Sequence, residues 1–120
     1  MTDYPKTIID GCVAVLVSPG YGLGWSHENK DHPELLFDPA IVAIVQTHPR
    51  DLIEKAVEEY LKAKYGERIL DGTHDSGDYI ATHGVKNLQV EWVPVGTRFS
   101  VIEYDGHEYI LTQDELEYVA

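Results

Sequence analysis

The stretch RFSVIEYDGHEYILT, residues 98–112, decides the fold class. Apolar and polar residues alternate on both sides of Asp105-Gly106, the dipeptide favoured for a two-residue hairpin connection, so 98–104 and 107–112 are expected as antiparallel strands. Just upstream, LQVEWV (88–93) alternates as well, and Pro94 stops it. The last third of the chain therefore reads as a β-meander.

Working towards the N-terminus, the period changes. In THPRDLIEKAVEEYLKAKYG (47–66), Leu52, Ile53, Ala56, Val57, Tyr60 and Leu61 recur at helical spacing, with Pro49 early and Gly66 just past the end. A second helix is expected in FDPAIVAIV (37–45). Asp38 is its cap, Pro39 takes the first helical position, and Ile41, Val42, Ile44 and Val45 supply an apolar face. GCVAVLV (11–17) is an unbroken apolar run and reads as a central strand. Residues 27–34 and 71–87 are polar or glycine-rich and read as loops, the second interrupted by a short strand at Tyr79–Thr82. A last short helix is expected from Gln113, including Leu116 and Val119. Residues 1–10 read as a loosely held arm on a single domain spanning 1–120. The expectation is an α+β fold, with a single antiparallel sheet and two to three helices packed on one face.

Composition narrows the function classes. With 21 Asp and Glu against 9 Lys and Arg, the net charge is −12. That disfavours sequence-independent binding to duplex nucleic acid, where cations must displace condensed counterions. It does not bar a small anion, because two unit charges ~10 Å apart in water interact by only about 0.4 kcal/mol. Cys12 is the sole cysteine, which fits a reducing compartment, and no membrane span or signal peptide is recognised. The expected location is the cytoplasm.

Catalytic and metal constellations are weak on spacing. His27 and His32 lie near Glu28 and Asp31, and His74 and His83 near Asp75 and Asp78, but none shows zinc-ligand spacing. Ser26, His107 and Asp105 do not assemble a nucleophile elbow or a triad. No catalytic residue, metal or cofactor is expected. The informative corner is SPGYGLGWS (18–26), directly after the apolar run. Its glycines leave amide N–H groups bare for an anion. Tyr21 and Trp25 offer faces for stacking, worth ~1–3 kcal/mol per base. The same letters also suit a tight turn whose Tyr and Trp finish the core. Arg98, one of three arginines, offers a bidentate fork for a phosphate, or a surface ion pair.

Three blocks taken in order resemble the phage Thoeris anti-defence type one family of cyclic-nucleotide sponges. They are Tyr21, Gly22, Gly24 and Ser26; then Asp38, Pro39, Ile41, Val42 and Val45; then Pro94 with Glu103 to Glu108. The resemblance implies a non-enzymatic protein that sequesters a cyclic nucleotide second messenger, with cyclic ADP-ribose isomers first and cyclic oligonucleotides next. It also implies a homo-oligomer with pockets between subunits, acting in the cytoplasm of an infected host. The expected site is Tyr21, Gly22, Gly24, Trp25, Ser26 and Arg98, extended by Tyr104 and His107. An alternative from another class is an acidic inhibitor that imitates nucleic acid and occupies a host enzyme's binding surface.

Overall fold

The computed structural model describes residues 4–19, 25–29, 32–67, 69–70, 80–82, 84–104, 107–112 and 118–119. The elements run β1 (Ile8–Ile9), β2 (Cys12–Val17), α1 (Trp25–Glu28), α2 (Pro39–Thr47), α3 (Arg50–Tyr65), β3 (Gln89–Pro94), β4 (Arg98–Tyr104), β5 (His107–Thr112) and β6 (Tyr118–Val119). Two 3-10 turns, Pro33–Leu36 and Val85–Asn87, link them.

The architecture is α+β, but the strands form two three-stranded antiparallel sheets, β1-β2-β3 and β5-β4-β6, where a single sheet was expected. The reason lies in β2. Alternate residues of a strand point to opposite faces, and both faces of β2 are apolar. Ala14 and Leu16 pack with Ile41, Val42, Ile53, Val57 and Leu61 of the helices. Val13, Val15 and Val17 pack with Phe37, Phe99 and Val101. A strand that is apolar on both sides needs two covers. The helices supply one and the second sheet supplies the other. Gly96 makes the split: Thr97 N–H donates to the Pro94 carbonyl at 3.0 Å, and Gly96 sits at φ +88° between β3 and β4.

The helix expectations hold at both termini. Asp38 Oδ1 accepts from the N–H groups of Ala40 (2.9 Å) and Ile41 (3.3 Å), and Pro39 opens α2. α3 runs from Arg50 to Tyr65 and ends at Gly66 (φ +110°), with Lys62 and Lys64 in its last turn where the helix dipole favours cations. Ile53, Val57 and Leu61 form its buried seam, whereas Leu52, also expected on that face, is exposed.

Three local expectations are corrected. Residues 4–9 are strapped down, with β1 pairing antiparallel with β2 (Ile8 with Val13, Ile9 with Cys12) and Tyr4 stacking on Phe37 at 6.2 Å. Asp10 (φ 53°) and Gly11 (φ +78°) make the two-residue turn. That is the same Asp-Gly hairpin signal as the sequence carries at 105–106. At 80–82 there is no strand, although Ile80 and Ala81 are buried; Tyr79 lies outside the described residues. Tyr118–Val119 is a strand paired with Arg98 and Phe99, so the expected helix does not include Val119; Gln113 and Leu116 lie outside the described residues. The β4–β5 hairpin has the expected register, with Tyr104 opposite His107.

Candidate functional site

The chain leaves β2 at Ser18, which is buried although it precedes the glycine-rich corner. Its partner is Glu108, the second residue of β5, which is only 1% exposed. Ser18 N–H and Ser18 Oγ both donate to Glu108 Oε1, at 3.1 and 3.2 Å. Glu108 N–H donates in turn to the Ser18 carbonyl at 3.0 Å. The end of β2 and the start of β5 are thereby clasped through backbone and side chain, and a carboxylate is buried with charge-assisted donors, as burial of a charge requires.

Ser18 Oγ also accepts from the Trp25 N–H at 3.0 Å. One hydroxyl therefore fixes both flanks of the segment 19–24. Of that segment, Tyr21, Gly22 and Gly24 lie outside the described residues.

Trp25 corrects the stacking expectation. Its side chain is 1% exposed, it belongs to the core cluster under the helices, and its indole N–H donates to the Leu35 carbonyl at 3.2 Å. An indole has one N–H donor and two faces. Here the donor is satisfied internally and the faces are packed, so no ring can stack on it. The turn-and-core reading of the corner describes Trp25.

Asn29 was missed by the sequence reading and is the organiser of this corner. It is 4% exposed. Its Nδ2 donates to the carbonyls of Trp25 (3.0 Å) and Ala81 (2.9 Å), while its Oδ1 accepts from Ala81 N–H at 2.8 Å. The side-chain amide thus pairs with Ala81 as a neighbouring strand would, which explains how the main chain of Ala81 is satisfied without a sheet. An Asn within a polar stretch gives no sequence signal of this role, because the partner lies 52 positions away.

Ser26 is half-buried and lines a small cleft of about 10 Å³ with Trp25, Asn29, His32, Pro33, Leu35 and Leu36. Small-molecule sites typically span about 300–1,000 Å³, so a cleft with space for scarcely one water molecule does not hold a nucleotide by itself. His32 Nδ1 lies 3.4 Å from Glu34 Oε1, and its ring meets Tyr65 edge-on at 5.9 Å.

Arg98 is exposed at the opposite end of β4 from the hairpin. It pairs with Val119, whereas Glu103 is the residue opposite Glu108. Five residues of strand at roughly 3.3 Å each separate Arg98 from the clasp by about 16 Å. Within one protomer Arg98 and the Ser18 corner do not form one site. Tyr104 and His107 occupy the last facing pair before the turn, beside Glu108.

Two other cations, Arg50 and Lys64, are engaged elsewhere. Arg50 donates to the Leu88 carbonyl at 2.7 Å. Lys64 reaches Tyr60 Oη (3.2 Å) and Asp38 Oδ2 (3.5 Å), and the Tyr60 hydroxyl raises its pKa. Among the described residues no group of three His, Cys, Asp or Glu side chains is arranged to hold a metal ion.

Compared with protein-family models, curated proteins and solved structures, the chain matches none. No helix is long and apolar enough to cross a membrane, among the described residues.

Proposed function

We propose that this protein is a non-catalytic binder that sequesters a small, ring-bearing anion of the cyclic nucleotide class, working in the cytoplasm as a homo-oligomer. The clasp between Ser18 and Glu108 is the observation that carries this reading. The glycine segment and the hairpin, which supply two of the three blocks of family resemblance, set out from one corner because these two residues hold their bases together. The proposed contacts are Tyr21, main-chain amides at Gly22 and Gly24, the Ser26 hydroxyl, and Tyr104 and His107 from the hairpin. Trp25 acts beneath the site as an anchor. Arg98 has no part in it within the same protomer.

A sponge works by mass action, so a signal at submicromolar concentration requires nanomolar affinity, about −12 kcal/mol. The corner alone does not supply that in one subunit, given a cleft of only about 10 Å³. The proposal therefore has a second subunit complete the site.

The test is a thermal shift with cyclic ADP-ribose isomers and cyclic dinucleotides, followed by denaturation and chromatography of the ligand. At a hundredfold excess over Kd, binding adds about 2.7 kcal/mol, or roughly 10 °C in Tm for a domain of this size. Intact recovery of the ligand is the expected outcome. Absence of any shift with the whole panel overturns the proposal, and recovery of cleaved ligand makes the protein an enzyme. A second reading rests on the net charge of −12, an acidic mimic of nucleic acid. It predicts instead the salt-sensitive capture of a nucleic-acid-binding enzyme.

A further inference from the structure

Among the described residues nothing pairs with the outer edge of β3, and its chemistry differs on its two sides. Val95 N–H donates to the Gly11 carbonyl at 2.9 Å, so the hydrogen-bonded pairs between β2 and β3 fall at Val93 with Val13, Glu91 with Val15 and Gln89 with Val17. The N–H and C=O groups of Val90 and Trp92 therefore point away from β2. β3 ends its sheet, and nothing among the described residues pairs with that side of it.

Register also sorts the side chains. Ile9, Cys12 and Pro94 form one row across the sheet, and Trp92 follows beside Ala14. These lie on the face that the helices cover further along at Leu16 and Val90. Here the cover has run out: Ile9 is 50% exposed and Trp92 39%. The opposite face of the same edge carries exposed Glu91 and Gln89.

We infer that the β3 edge is a docking site for an extended segment of a partner protein that alternates apolar with basic residues. Such a segment adds a fourth strand, bonding the free main-chain groups of Val90 and Trp92. Its apolar residues lie on Trp92 and Pro94, and its Lys or Arg residues stand beside Glu91, where opposite charges across strands attract. The net charge of −12 steers a basic segment in and opposes a second copy. This inference is independent of the nucleotide proposal, since it rests on the outer side of β3 and uses no residue of the Ser18–Glu108 clasp.

The probe is an acetylated, amidated hexapeptide alternating Lys with Val. It is compared with a Glu–Val peptide and with three Lys followed by three Val, using amide hydrogen exchange on the full-length protein. At about ten times Kd of the Lys–Val peptide, the Val90 and Trp92 amides are expected to exchange about tenfold more slowly. Val93, already bonded to β2, is the internal control. Glu91→Lys is expected to weaken the Lys–Val peptide about fivefold and to favour the Glu–Val peptide. Unchanged exchange at Val90 and Trp92, equal protection by all three peptides, or indifference to Glu91→Lys overturns the inference. So does an unliganded dimer in sedimentation whose Val90 and Trp92 amides are already protected, since a second copy then fills the edge.

Discussion

Ser18 does more than its size suggests. Its N–H and hydroxyl donate to Glu108, and the same hydroxyl oxygen accepts from the backbone of Trp25. Ser18→Ala keeps the N–H bond but strands the buried Trp25 N–H and removes a donor from a buried carboxylate. An unsatisfied buried polar group costs about 1–3 kcal/mol, so we expect a loss of that size in urea denaturation at neutral pH. A loss within 0.5 kcal/mol, the usual scatter of surface substitutions, removes the clasp as a stabilising feature. Neither Ser18 nor Asn29 stands out by letter. Their significance comes from partners 90 and 52 positions away. Trp25 shows the same blindness from the other side: its letters fit an exposed platform and a core plug equally well, and packing under Leu35 settles which it is.

The two long helices were legible at the scale of elements because their signals are local. A cap, a proline at the first position, a glycine past the end and a 3.6-residue period lie within one or two turns of the atoms they organise. Their mutual fixation was less visible. Asp38, which caps α2, also accepts from Tyr60 Oη of α3 at 2.8 Å, and Tyr65 Oη of α3 donates to Glu34 of the preceding 3-10 turn at 3.3 Å. Burial, then the Glu34 charge, pushes the Tyr65 phenol up to about 12, and burial followed by the Asp38 bond raises Tyr60 in the same direction. The folded state holds these protons more tightly than the unfolded chain, where tyrosine titrates near about 10. Stability is therefore fully present below about pH 10 and falls as pH rises towards about 12. Melting temperatures across that window should drop more steeply for the native chain than for Tyr65→Phe. Equal slopes would show that the Tyr65–Glu34 contact does not link protonation to folding.

Over the whole molecule, the division into two sheets depends on the turn at Gly96. Val95 still bonds to Gly11 in the first sheet, and Arg98 already pairs in the second, so the chain changes sheets within three residues. Gly96 stands in open space at φ +88°, so a methyl group meets no neighbour and the cost of Gly96→Ala is conformational. A side chain in the left-handed region costs about 1–2 kcal/mol, which a denaturant midpoint shift at constant slope would report. A neutral substitution would mean that the turn relaxes freely and does not direct the second sheet. The same division separates Arg98 from the Ser18 corner, because β4 starts at one end of the second sheet and reaches the clasp only at the other.

By itself the sequence determined the periods, the caps, the Asp-Gly register of the β4–β5 hairpin and the β-rich last third, since each is set by sterics and hydrogen bonds among residues a few positions apart. It also held the second Asp-Gly turn, at residues 10–11, and an unbroken apolar run at β2 that is apolar on both faces. Tertiary structure alone decided that β2 has a helical cover on one side and a second sheet on the other, that the Trp25 indole points inward, and that Trp92 stays exposed on a β3 edge unpaired among the described residues. Those outcomes follow from which distant surfaces meet, and burial is a property of the meeting surfaces that no single stretch of chain encodes.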